Sequence, residues 1–185
     1  MSQERTRKIV STGIMGAIAA FLGITRWGYL PSVAGFSVTI MHIPVIIGAV
    51  LEGPVVGVGI GLIFGLTSML QAAIAPIMPS DPWFTNPLLS VLPRLFIGPV
   101  AWLVWNSLKR WPVAGLIAAG IAGSLTNTVL VLGMIGVLGY APWALLGGVA
   151  ITNGLPEAAV AAVLVLAVIS AWKQIRVGRR QGSRV

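Results

Sequence analysis

Apolar stretches long enough to cross a hydrocarbon layer of roughly 30 Å recur along the whole chain, and none shows the period-two alternation of a membrane strand. Their glycine, proline and charged boundaries predict six helices near residues 8–25, 36–52, 54–76, 87–108, 113–138 and 144–172. Glu52-Gly53-Pro54 reads as a tight turn between the second and third, whereas 26–35 and 77–86 read as longer connections at the opposite end. The expected architecture is an all-α integral membrane protein: six transmembrane helices in a compact bundle with an outward-facing ligand pocket, forming one domain over 1–185. Pro44, Pro93, Pro99 and Pro156 fall inside the predicted spans, where proline kinks a helix or frees a carbonyl. No internal repeat is visible, so the inverted-repeat design of many secondary transporters is not expected.

The polar interruptions of this pattern carry the chemistry. From Asn86 to Leu108 the chain reads NPLLSVLPRLFIGPVAWLVWNSL, with Arg94 two turns inside. An arginine at the centre of a membrane helix costs roughly 2.5–3.5 kcal/mol on insertion scales, so Arg94 requires a partner, a wet cavity or a ligand. Counted from the predicted outer ends, Gln71, Arg94, Asn127 and Asn153 lie at a common shallow depth, and His42 and Glu157 lie at a similar or slightly greater one. A polar layer drawn from five helices outlines a pocket, because unpaired polar groups in lipid are costly. The same residues also fit an internal network in which Arg94 pairs with Glu157 and the asparagines fasten neighbouring helices. Asn153 and Glu157 share a helix face, and Thr126 and Thr128 flank Asn127, which suits a small ligand with hydroxyl or amide groups. Asn86, at the head of the fourth span, joins these binding candidates.

Composition agrees: 57% of residues are hydrophobic and 9% charged, which excludes a soluble domain. The net charge of +8 sits at helix ends and tails rather than in a nucleic-acid-binding patch. Arg5, Arg7 and Lys8, then Lys109 and Arg110, then Lys173, Arg176, Arg179, Arg180 and Arg184 fall on one side of a six-span chain, so both termini are expected in the cytoplasm. The chain has no cysteine and a single histidine, which argues against disulfides, thiolate chemistry and a metal site. The basic N-terminus leads into a first span and not a cleavable signal peptide. Trp27, Tyr29, Trp83, Phe84, Tyr140 and Trp143 collect at the outer connections, as an interfacial belt or as a lid over a ligand. In the first span Gly13 and Ala17, with Gly16 and Ala20 beside them, permit close approach of another helix, within the bundle or from a partner.

Taken together, GAIAA in the first span, TIMHIPVIIGAVLEGPVVGVGIGLIFGLTSM from Thr39, the run from Asn86, GSLTNTVLVLG and NGLPEAAVAA resemble the substrate-binding S component of energy-coupling factor (ECF) vitamin transporters. HIPVIIGA before a Gly-Pro turn, and FGLTS, resemble the pantothenate branch more than the riboflavin or folate branches. The resemblance implies a prokaryotic plasma-membrane subunit that binds a vitamin or precursor at its outer face and works with a membrane coupling protein and two cytoplasmic ATPases. It further implies docking on the coupling protein through Gly13, Gly16, Ala17 and Ala20, and a lid carrying Trp27 and Tyr29. The chain has no GxxxxGK[ST] sequence, so no bound cofactor is expected and ATP is consumed by the partners. Pantothenate would present its carboxylate to Arg94 and its hydroxyl and amide groups to Asn127, Asn153 and Gln71. The alternatives are another vitamin, such as riboflavin, folate or pyridoxine, or a stand-alone carrier. An intramembrane enzyme is disfavoured, since neither a serine–histidine pair nor paired aspartates are present on facing helices.

Overall fold

The computed structural model describes residues 3–30 and 38–173. Pro31, the far end of the 26–35 connection and the tail arginines Arg176, Arg179, Arg180 and Arg184 lie outside the described residues. The helices are α1 (Gln3–Ile24), α2 (Ile43–Glu52), α3 (Pro54–Ile74), α4 (Pro87–Ser90), α5 (Leu92–Ser107), α6 (Pro112–Val137), α7 (Trp143–Val149) and α8 (Leu155–Lys173). Two short strands, β1 (Tyr29–Leu30) and β2 (Val38–Thr39), pair antiparallel between α1 and α2. A 3-10 turn, Asp81–Thr85, precedes α4, and a π-helical turn, Ala150–Gly154, joins α7 to α8.

Among the described residues five helical segments are long and apolar enough to cross a membrane: Gln3–Ile24, Pro54–Ile74, Pro87–Ser107, Pro112–Val137 and Trp143–Lys173. The predicted span 36–52 is not a single helix, because Val38 and Thr39 pair with β1 and the helix begins only at Ile43. At 1.5 Å per residue its 10 residues rise about 15 Å, half the hydrocarbon thickness. Ile43 through Val50 are buried, and α2 packs on α1, α3, α5, α6 and α8. A helix apolar on every face belongs at the centre of a bundle, and this one forms the middle of the main core with Ile60, Phe64, Ile97 and Val165 around it.

The prolines start helices more often than they bend them. Of the four expected inside spans, Pro44 occupies the first turn of α2, where the missing N–H has no intrahelical acceptor to lose, whereas Pro93 follows the break at Val91, Pro156 follows the π-helical turn within the helical run 143–173, and Pro99 is interior to α5. The tight turn between α2 and α3 forms at Gly53, whose φ of 102° disfavours a side chain, with its N–H donating to the Ala49 carbonyl (2.9 Å) and Pro54 opening α3.

Contact between α3 and α5 is made by backbone. Gly57, Gly61 and Gly65 recur every four residues and so share a face. A Cβ at Gly57 would lie 2.8 Å from Gly98 Cα, one at Gly65 would lie 2.8 Å from Val91 Cα, and one at Gly61 would run into the Arg94 carbonyl oxygen. This approach sets the height of Arg94 against α3. The two ends of the bundle differ chemically. At one, Arg7 pairs with Glu52 (2.9 Å) and the Lys173 ammonium stands 4.9 Å from the Trp105 ring centroid. At the other, Arg26 donates to the Ala75 carbonyl (2.5 Å) and Trp83 stacks on Tyr140 (centroids 5.6 Å apart).

Candidate ligand-binding site

A cavity of about 400 Å³ opens among α3, α5, α6 and α8 and reaches Arg26, Tyr29 and Thr39 on one side and the 77–84 connection on the other. That volume is in the range of small-molecule pockets, roughly 300–1,000 Å³.

Arg94 is held in the cavity wall by a chain of local causes. In an unbroken helix the Leu89 carbonyl would accept from residue 93, but Pro93 has no N–H. The helix breaks at Val91, and the Arg94 guanidinium donates to the freed Leu89 carbonyl instead. The Phe64 and Phe84 rings flank the guanidinium, each 5.3 Å from Cζ to centroid, an arrangement suited to a weakly hydrated cation. Arg94 is 4% exposed, and its Nε has no partner. Among the described residues the ion pairs are Arg7–Glu52 and Glu4–Lys8, so the expected alternative of an Arg94–Glu157 pair does not form. Glu157 accepts instead from the Thr39 amide (2.6 Å) and the Thr128 hydroxyl (3.3 Å).

The other sequence candidates divide. Gln71, Asn127, Asn153 and Tyr29 line the cavity with Arg94 and Glu157. Gln71 donates to the Gly23 carbonyl and accepts from the Tyr29 hydroxyl (3.2 Å), tying α1, α3 and β1 together. Burial pushes the Tyr29 phenol above its ordinary value, so it remains a donor at neutral pH. Asn127 Oδ1 is buried without a partner, and Asn153 sits in the π-helical turn that replaces a regular helix before Pro156. Such turns frequently mark functional positions.

His42, Trp27 and Asn86 do not line the cavity. His42 is wholly buried at the head of α2. Trp27 is 78% exposed, while Arg26 and Tyr29 on either side of it face the cavity. Asn86 caps α4, its side chain accepting from the Leu88 N–H (3.0 Å). The small-residue stripe of α1 also splits: Gly16 packs against Ile63 of α3 and Ala20 is half-buried, but Gly13 and Ala17 are exposed, with nothing near a Cβ at Gly13.

Sequence reasoning passed over Phe64, Ser68, Arg26, Thr39 and Asp81 as cavity residues. The first two had a readable signal, since Phe64, Ser68, Gln71, Ala72 and Ala75 form one helical stripe. Asp81 was not readable: its carboxylate accepts from the Ile77 and Met78 amides (2.7 and 2.9 Å), folding that connection into the wall.

These features define a multi-pass helical membrane protein with a buried, mixed polar and aromatic cavity. Residues 7–169 match the family described as ECF transporter, substrate-specific component. The chain is 32% identical over 158 residues to the pantothenic acid transporter PanT of Lactococcus lactis subsp. cremoris MG1363, covering 75% of this chain and 79% of that protein. It is 30% identical over 149 residues to the pantothenate transporter PanT of Leuconostoc mesenteroides subsp. mesenteroides, covering 76% and 72%. The chain belongs to the family of ECF transporter substrate-specific components.

Proposed function

We propose that this protein is the high-affinity pantothenate-binding subunit of an ECF-type uptake transporter. The observation that carries the reading is Arg94: buried, flanked by two phenyl rings, unpaired with any carboxylate among the described residues and facing a cavity of ligand size. A cation so placed suits a ligand carboxylate. Asn127, Asn153 and Gln71 supply donors and acceptors for hydroxyl and amide groups, while Val131, Leu132 and Ile135 offer an apolar wall for a branched carbon skeleton. The names of the two relatives support the same ligand.

The whole chain acts as one membrane domain of six segments, with α2 as the buried sixth. The basic residues of the opposite end support a reading with both termini in the cytoplasm of a prokaryotic cell and the cavity facing outward. In this reading energy comes from a membrane coupling protein and two ATPases, which the absence of a P-loop sequence from the chain supports. Titrating the purified protein with pantothenate, riboflavin, folate, thiamine and pyridoxine while following tryptophan fluorescence tests the ligand. Saturable quenching by pantothenate is expected, and silence with pantothenate alongside a response to another vitamin would reassign it. Uptake by vesicles that lack the ATPases would make it a stand-alone carrier.

Docking on the coupling protein uses the open face of α1 at Gly13 and Ala17. Gly13→Leu or Ala17→Leu is expected to leave pantothenate affinity unchanged while abolishing ATP-driven uptake, because the added side chain separates the helix backbones. Normal co-purification with the coupling protein and normal uptake would refute this.

A further inference from the structure

The short hairpin between α1 and α2 contributes Tyr29 and Thr39 to the cavity wall, and it is fastened to the helices on two sides. On the α3 side, the Tyr29 hydroxyl donates to Gln71. On the α8 side, the fastening is a carboxylate. Across the hairpin the Ile40 amide donates to the Gly28 carbonyl (3.0 Å), but the Thr39 amide turns away from its strand partner and donates to Glu157 Oε1 at 2.6 Å, linking residues 118 positions apart. Glu157 Oε2 accepts from the Thr128 hydroxyl of α6, which also lies 3.2 Å from the Ser124 carbonyl.

We propose that Glu157 is the positioning residue that fastens β2, and with it the Tyr29–Thr39 wall of the cavity, to α6 and α8. Glu157 is 5% exposed and, among the described residues, forms no ion pair with a basic side chain. Simple packing between α6 and α8 is already met by Gly120 against Ala161 and Ala162, so it does not explain a buried carboxylate. An acceptor aimed at a backbone amide of the hairpin does. Retention of a ligand behind this wall follows, and that consequence alone rests on the pantothenate reading.

Glutamine at 157 satisfies the same geometry without charge. Its Oε1 accepts from the Thr39 amide, and its amide donates to the Thr128 hydroxyl, which turns its own hydrogen to the Ser124 carbonyl. The test is hydrogen–deuterium exchange of the full chain in lipid nanodiscs, without ligand, followed on the peptide containing the Thr39 amide. Glu157→Ala is expected to speed its exchange by about tenfold or more relative to α6 core amides, and Glu157→Gln to stay close to wild type. Wild-type exchange in Glu157→Ala would overturn the assignment, as would exchange in Glu157→Gln as fast as in the alanine variant. Should the alanine protein fail to fold, Thr39→Pro removes the donor and leaves Glu157 in place. Release of [14C]pantothenate is then expected to be faster than from wild type, and an unchanged rate would overturn the proposal. Failure of the wild type to bind pantothenate would refute the ligand and leave the exchange result to decide the role of Glu157.

Discussion

Arg94→Ala is expected to weaken pantothenate binding at least about a hundredfold, the loss of two charge-assisted hydrogen bonds at roughly 1.5–3 kcal/mol each in a buried site. The free protein should change little in thermal stability. Removing the guanidinium relieves the cost of a buried cation with an unsatisfied Nε, and this offsets the stranded Leu89 carbonyl and the lost contacts with Phe64 and Phe84. An arginine that served as an internal fastener would give the reverse: a destabilised protein whose remaining folded fraction bound normally. Arg94→Lys should fall between wild type and alanine, because an ammonium keeps the charge but not the planar fork or its fit between two rings. The ligand can be truncated in parallel. Pantothenol, with an alcohol in place of the carboxylate, should bind wild type about as poorly as pantothenate binds Arg94→Ala, and the variant should scarcely distinguish the two compounds. Calorimetric titration of both proteins with both ligands closes the cycle, and additive losses would separate Arg94 from the carboxylate.

The parts of this site legible in the sequence were those with a local cost. Arg94, Asn127, Asn153 and Glu157 stand out because each interrupts a helix that lipid or core would otherwise keep apolar, and the cavity gathers all four. Partners were not legible, since they come from far along the chain. Phe64 and Phe84 reach Arg94 from α3 and from a 3-10 turn, and Thr39 reaches Glu157 across 118 residues. Tyr29 and Trp27 looked equivalent as interfacial aromatics, yet with the left-handed turn at Arg26 (φ 64°) and the pairing of β1 the first is half-buried against the cavity and the second exposed. Asn86 could have been assigned better from sequence, because asparagine followed by proline is the signature of a helix cap and first turn. The truncation of α2 at Ile43 depends on the pairing of Thr39 with Tyr29, which no local pattern announces.

Gly61→Ala, a single added methyl, is expected to lower both stability and pantothenate affinity even though the residue is absent from the cavity wall. The new Cβ would meet the Arg94 carbonyl oxygen, and Arg94 C at 3.0 Å, atoms of α5 backbone that cannot rotate aside. The helices must then separate, at a cost of about 1–3 kcal/mol for overpacking a close contact. The strain also falls at a particular place. Moving α5 away from α3 at residue 94 carries the guanidinium off the Phe64 ring and shifts it relative to Gln71 and Ser68, which remain on α3. A displacement of about 1 Å is enough to spoil paired hydrogen bonds to a carboxylate. Gly133→Ala serves as the control: a Cβ there meets nothing within 4 Å, and alanine is the better helix former by roughly 1 kcal/mol. Thermal unfolding and pantothenate titration of the two variants should therefore part in both measurements, Gly133→Ala remaining at or above wild type and Gly61→Ala falling below it. Loss of stability at Gly61 with intact affinity would mean that α5 yields elsewhere and that the position of Arg94 does not depend on the glycine face of α3.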